Sequence, residues 1–163
     1  YGGDDNDTLF GNEGSDTILG GRGDDTLTGG IGDDTLKGED GNDTYLFNIG
    51  DGKDTIYDTS GYDTIRFGDG ISREDIGFFA SGSSFKLYYG EDDSIKIDYQ
   101  NLSFNTVERV ELNDGSYLTN QDIELIIQEI NAYAEDKGIH ITSNDDIRDN
   151  KELMQIVNSY WHE

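Results

Sequence analysis

The chain contains no cysteine and no proline. Without thiols there are no disulfides and no thiolate metal ligands, and cysteine usage leaves the redox compartment undetermined. Basic residues are scarce, eleven against thirty-six acidic ones, for a formal charge of −25 at pH 7. Such a charge repels nucleic acid and anionic membrane surfaces and gathers cations, so no nucleic acid partner is expected. No apolar run approaches the length of a membrane span, and no charged-then-apolar leader opens the chain. It begins at Tyr1-Gly2-Gly3, inside a repeat, as a fragment of a longer protein would. A length of 163 residues suits one compact domain or two small ones.

Catalytic signatures are also missing. There is no G-x-S-x-G, no H-E-x-x-H, no glycine loop followed by Lys-Ser/Thr and no cysteine nucleophile. His140 and His162 stand singly and read as surface or packing residues, and carboxylates are too numerous for any pair to be singled out as acid and base. The chain is therefore not expected to be an enzyme, and any activity of a larger protein is expected upstream.

What the chain has instead is glycine, 22 residues of it, and a nine-residue period. Asp7, Asp16, Asp25, Asp34 and Asp43 follow one another at steps of nine, then Asp54 after eleven and Asp63 after nine. Two positions after each stands a large apolar residue: Leu9, Ile18, Leu27, Leu36, Tyr45, Ile56 and Ile65. Two positions before all but the first stands a glycine: Gly14, Gly23, Gly32, Gly41, Gly52 and Gly61, with Asp5 the exception. A disordered polyanion needs no apolar register, so the in-phase apolar column argues against the compositional reading of disorder.

Gly20-Gly21-Arg22-Gly23-Asp24-Asp25-Thr26-Leu27-Thr28 and Gly29-Gly30-Ile31-Gly32-Asp33-Asp34-Thr35-Leu36-Lys37 match G-G-x-G-x-D-x-U-x at every fixed position, U being a large apolar residue. In this the chain resembles the RTX proteins secreted by Gram-negative bacteria. Asn12 and Glu39 replace second glycines, and residues 47–50 break the period. The resemblance implies a mainly β fold, a right-handed parallel β-roll with two nonapeptides to a coil. G-G-x-G-x-D is expected to form the turn, and the next three residues a very short strand with the central side chain inward. Asp7, Asp25 and Asp43 then fall along one edge and Asp16, Asp34 and Asp54 along the other.

Carboxylates stacked about 5 Å apart repel by roughly 3 kcal/mol per pair at an effective dielectric near 20. One aliphatic side chain per nine residues returns far less than the conformational entropy of ordering them. A hard divalent cation between coils turns the repulsion into attraction and finds glycine-bared carbonyls as further ligands; several oxygens at that spacing suit calcium. The expected cofactor is calcium, several ions of it, with Asp7, Asp16, Asp25, Asp34, Asp43, Asp54 and Asp63 as metal ligands. No EF-hand loop competes.

Beyond residue 67 the texture changes. Ile76–Phe79, Phe85–Tyr89, Ser94–Tyr99, Val107–Leu112 and Tyr117-Leu118 have strand character, with turns at Asp92-Asp93 and Asn113-Asp114-Gly115. They are expected to form an antiparallel β cap on the open end of the roll. Asp63-Thr64-Ile65-Arg66-Phe67 and the stretch Asp114–Ile123 are similar to the segment that follows the nonapeptides in many RTX proteins. Thr119 with Asp122 suits a helix start, and Ile123, Ile126, Ile127, Ile130, Tyr133 and Ala134 one helical face ending at Lys137-Gly138. A second helix is expected after Asn150, with Leu153, Ile156, Val157 and Tyr160 on a stripe. The expected organisation is a roll over 1–67, a β-rich cap over 68–120 and one or two helices over 121–163. By resemblance, the last region would also carry a type I secretion signal.

The resemblance implies a calcium-dependent folding module of a secreted RTX protein of toxin or cytolysin type, unfolded for export and folded in external calcium. Its partners would be calcium and the type I secretion apparatus, and its place extracellular or at the cell surface. The runner-up is the end of a large RTX adhesin whose aromatic cap surface binds a host protein or glycan. A third reading is the auxiliary module of a secreted hydrolase or epimerase.

Overall fold

A computed structural model describes residues 1–81, 84–98 and 107–163. Within the repeats, strands recur with the aspartate period: β1 (Gly3–Asp4), β2 (Thr8–Glu13), β3 (Thr17–Arg22), β4 (Thr26–Ile31), β5 (Thr35–Asp40), β6 (Thr44–Phe47), β7 (Lys53–Tyr57) and β8 (Thr64–Phe67). Odd strands join one sheet and even strands the other. Partners are parallel and lie two repeats apart, Thr8 against Thr26 and Thr44, Thr17 against Thr35. Across the irregular stretch the offset grows to twenty residues, Thr44 against Thr64 and Thr35 against Thr55. This is the parallel β-roll, two nonapeptides to the coil.

The turns are shorter than expected. In the regular repeats the ladder runs on from Thr26-Leu27-Thr28 through Gly29-Gly30-Ile31, so strands span six residues and the reversal only three. A glycine pair is tolerated in a strand here because a coil's backbone lies hard against the next. A Cβ on Gly30, at φ +99°, would collide with the carbonyl oxygen of Asn12. Asp5, Asn12 and Glu39, which stand where the repeat has glycine, hold positive φ angles of 77–79°.

Side chains alternate across each strand. Leu27, Leu36, Tyr45, Ile56 and Ile65 are fully buried and Ile18 nearly so, while Leu9 in the first coil is only half-buried. Phe10 points outward, as the alternation predicts, and Leu19 is half-buried. Toward the later coils the interior widens, and Phe47, Phe67 and Tyr89 fill it with ring centroids 4.8–6.4 Å apart.

Five more strands follow: β9 (Ile76–Ser81), β10 (Ser84–Tyr89), β11 (Ser94–Asp98), β12 (Arg109–Glu111) and β13 (Tyr117–Thr119). The expected antiparallel cap is present, and parallel strand pairs join it to the roll. β11 lies parallel to β7, and β12 parallel to β8, so each sheet continues by one more parallel strand before hairpins reverse it. Among the described residues the antiparallel strand pairs are β9 with β10, β10 with β11 and β12 with β13. Continuing the ladder pairs the last coil's backbone groups, which an edge would leave bare. Tyr99, read as the end of a strand, lies outside the described residues.

Three helices are present among the described residues: α1 (Asn120–Lys137), α2 (Asn144–Arg148) and α3 (Lys151–Ser159). Thr119 and Asp122 form a reciprocal capping box on α1, which stops at Gly138 in the left-handed conformation. Its buried face is Ile123, Ile126 and Ile130; α3 adds Leu153 and Val157. The short α2 was not expected. Ser143 and Asp146 cap it, and Ile147 anchors it in the core. Trp161 is buried beyond α3, and His162 pairs its backbone with Tyr117. No helix among the described residues is long and apolar enough to cross a membrane.

Candidate metal centre

The repeat aspartates stand at the start of each strand, just before it in all cases but Asp54, the second residue of β7, so their carboxyl groups repeat with the coil. From Asp25 onward each Oδ1 accepts the backbone N–H of the aspartate one coil earlier. Asp25 accepts from Asp7 at 2.7 Å, Asp43 from Asp25 at 2.8 Å and Asp63 from Asp43 at 2.8 Å along one edge. Asp34 accepts from Asp16 at 2.7 Å and Asp54 from Asp34 at 2.9 Å along the other. The structure thus brings Asp7, Asp25, Asp43 and Asp63 into one column and Asp16, Asp34 and Asp54 into a second. Asp16 and Asp25 do not share a hydrogen bond in this ladder.

The other oxygen of every one of these carboxylates, Oδ2, is buried and has no hydrogen-bond partner. A buried carboxylate oxygen without a donor is costly unless a cation reaches it. Glycine keeps the space beside it open. A methyl group on Gly2 would sit 2.5 Å from Asp7 Oδ2 and 2.7 Å from the carbonyl oxygen of Gly20. On Gly11 it would sit 2.8 Å from Asp16 Oδ2 and 2.5 Å from the carbonyl oxygen of Gly29. A carboxylate oxygen and a backbone carbonyl of the next coil converge on one glycine-floored spot, an all-oxygen donor set of the kind hard cations take.

The fields there are uncompensated. Burial, and then neighbouring carboxylates, push Asp43 up to about 6, Asp54 to about 7 and Asp63 to about 8. The charges acting on Asp63 are Asp58, Glu108 and Asp43, all anionic.

The RTX calcium-binding nonapeptide repeat, as a family model, matches in four copies over residues 1–36, 19–51 and 48–70. Residues 1–70 belong to the RTX repeat family. No curated protein matches the chain. Calcium is the cofactor of RTX repeats, and the orphaned Oδ2 atoms with their converging carbonyls fit it in donor chemistry.

Several residues of the RTX roll escaped the sequence reading. A second ladder runs the opposite way from the residue before each aspartate. Asn6 Oδ1 accepts from the Asp24 amide at 2.9 Å, Asp24 from Asn42 at 2.8 Å and Asn42 from Tyr62 at 2.8 Å. The recurrent Asn or Asp at 6, 24, 33 and 42 was the available signal. The first ladder also passes into the cap, where the carboxylate of Glu108 accepts from the Asp63 amide at 2.7 Å.

At the cap end of that edge stands a further acid, Asp58. With Asp43 and Asp63 it forms a buried group whose carboxylate oxygens lie within 4.8 Å of one another. Burial first, partly offset by the Tyr45 hydroxyl, raises Asp58 to about 6. Tyr45, counted only as an apolar residue of the repeat, donates its hydroxyl to Asp58 and accepts the Gly38 amide at 2.9 Å. On the opposite edge the buried Tyr89 hydroxyl has no partner, and burial followed by Asp54, Asp51 and Asp93 pushes its pKa up. Asp93, from the cap, accepts the Gly50 and Gly52 amides at 2.8 and 3.0 Å.

Proposed function

We propose that this RTX-type calcium-binding module is a conditional folding device. It is disordered where calcium is scarce, folds after export by a type I apparatus, and so belongs to a secreted or surface protein of toxin or cytolysin type. In this reading Asp7, Asp16, Asp25, Asp34, Asp43, Asp54 and Asp63 each offer Oδ2 to a calcium ion held between coils, with glycine-bared carbonyls completing the shell. Calcium's part is to neutralise the two columns and tie each coil to the next. The module acts as structure and not as catalyst. Residues 68–120 would close the roll and 121–163 would carry the export signal.

One observation carries it: seven buried carboxylate oxygens, stacked in two columns, lack any hydrogen-bond donor. Circular dichroism of the chain in chelator and in roughly millimolar calcium tests the proposal. A cooperative gain of β-signal with calcium, poorly reproduced by magnesium, is expected. Equal far-UV spectra in the two conditions would refute it.

A further inference from the structure

The register of the last coil gives Asp58 an unusual address. With an offset of twenty residues, Asp40 pairs with Ser60 and Thr44 with Thr64, so Asp58 lies opposite Gly38. Gly38 in turn lies opposite Gly20, and Gly20 opposite Gly2, by the offset of eighteen that pairs Gly3 with Gly21 and Gly21 with Glu39. Asp58 therefore occupies the slot that three earlier coils give to the first glycine of the repeat. Its side chain is buried, and it turns inward to the pocket beside Asp43 and Asp63.

Three features mark this pocket, and the first sets it apart from the other sites of the roll. It holds three carboxylates within 4.8 Å, whereas an ordinary cradle has one carboxylate and a carbonyl. Asp43 Oδ2 and Asp63 Oδ2, on residues 1% and 0% exposed, have no partner. And the space is kept by Gly38, where a methyl group would collide with Asp43 Oδ2 and lie 2.6 Å from the Tyr45 hydroxyl. Asp58 is not free to neutralise itself elsewhere. Its donors are the Tyr45 hydroxyl and the amides of Thr59 and Ser60, all uncharged.

We propose that Asp43, Asp58 and Asp63, walled by Tyr45 and Gly38, form a side-chain-rich cation site that binds calcium most tightly and fills before the other sites. Ligand charge sets affinity in all-oxygen calcium sites, and this pocket gathers three carboxylates where an ordinary cradle has one. The site sits on the coil whose strand β8 pairs with the cap strand β12. Its ion ties the last coil to the cap before the remaining coils form. This deepens the folding-device reading and rests on it.

The test is a terbium titration of the full chain, with excitation of tyrosine and back-titration by calcium. Terbium is a trivalent oxygen-seeking ion of similar size, and the Tyr45 hydroxyl stands at the pocket as sensitiser. The expected result is a first ion bound at a concentration about tenfold or more below the rest, with sensitised emission. Asp58→Gly, which restores the repeat's own residue, and Asp58→Asn should both remove that first step and leave the later ones in place. Tyr45→Phe should keep the step in calorimetry and lose most of its emission. Asp51→Asn, on the opposite edge, should keep both.

Wild-type protein that folds with calcium while Asp58→Gly and Asp58→Asn titrate like it would overturn the site and leave the folding device standing. Wild-type protein indifferent to calcium would overturn the device itself. Failure of both Asp58 variants to fold at saturating calcium would also overturn the site, by making Asp58 a requirement of the whole fold.

Discussion

The roll and the segment that follows it spend their carboxylates and apolar residues in opposite ways. The roll places one large apolar side chain inward per repeat and lines both edges with carboxylates whose buried oxygens find no donor. Residues 68–163 bury Ile76, Phe78, Phe85, Leu87, Ile95, Val110, Leu118, Ile126 and Leu153, and use acids such as Asp122 and Asp146 as helix caps on exposed or half-exposed ground. In the second region hydrophobic burial dominates, and the unpartnered buried atoms of Tyr89, Asn144, Asn158 and Trp161 are uncharged. In the first, burial and charge conflict, and under the proposed function a cation would resolve the conflict. Stability in this chain would then be divided, the second region resting on its own core and the first on the solution.

The largest expected effect separates the two regions directly. In chelator, amides of residues 8–67 should exchange with solvent at once, while those of α1 should keep measurable protection. Calcium should restore protection to the roll in one cooperative step. Hydrogen exchange by mass spectrometry reads both regions in a single sample, and uniform loss of protection across the chain would erase the division.

Next in size is the dependence of the roll on its cap. A chain ending at residue 67 loses the parallel strands β11 and β12, the Glu108 acceptor and Tyr89 from the roll's last interior layer. It should stay disordered in calcium that folds the full chain. An identical calcium midpoint for both would show that the roll needs no cap.

Acid should substitute in part for calcium. Asp43, Asp54, Asp58 and Asp63 have folded values of about 6, 7, 6 and 8, raised from 3.8. Because the folded form binds more protons than the unfolded chain in that window, this contribution is fully present below about pH 4 and is lost as pH rises toward 8. Calcium-stripped protein should show more β-signal at pH 4.5 than at pH 8. Calcium, which displaces those protons, should bind more tightly as pH rises. Stripped protein that gains β-structure with rising pH would contradict the burial of these groups.

A smaller effect tests the columns. Asp16→Asn with Asp34→Asn should cost less than the sum of the single changes, by about 0.5 kcal/mol or more, since in the proposed columns the unpartnered Oδ2 atoms of both serve one stack of calcium sites, which the first substitution already damages. Asp16→Asn with Asp25→Asn should be nearer to additive. Stronger coupling for the second pair would contradict the two-edged roll.

The smallest belongs to the cap. Tyr117 lies between the Arg109 guanidinium, 3.7 Å from its ring centre, and the His162 ring at 5.0 Å. Tyr117→Ala should destabilise by about 0.5–2 kcal/mol and shift the calcium midpoint slightly upward. No shift at all would uncouple cap packing from the roll.

The sequence made the roll legible because its period is enforced at three positions at once, glycine, aspartate and apolar residue. The length of the strands was hidden, since Gly29-Gly30 has the composition of a turn and only the close approach of the next coil explains it as strand. Asp58 was hidden because the eleven-residue step from Asp43 to Asp54 shifts the frame, so that an acid at a glycine slot looks like one more surface charge. Glu108 joins the ladder from 45 residues away, with no periodic neighbour to mark it. The helix α1 was legible from its capping residues and isoleucine stripe. The helix α2 was not, because five residues with one buried isoleucine carry no periodicity. Alternation in β11 and β12 indicated strands and, being the same for both directions, said nothing of parallel pairing.

The first aspartate ladder has a polarity. Each amide finds its acceptor one coil nearer the cap, from Asp7 through Asp25, Asp43 and Asp63 to Glu108. The second ladder, from Tyr62 through Asn42 and Asp24 to Asn6, hands its amides the other way, so neighbouring coils are tied by bonds of opposite sense. An array tied this way can gain or lose coils at its N-terminal end while the Glu108 contact at the cap stays the same.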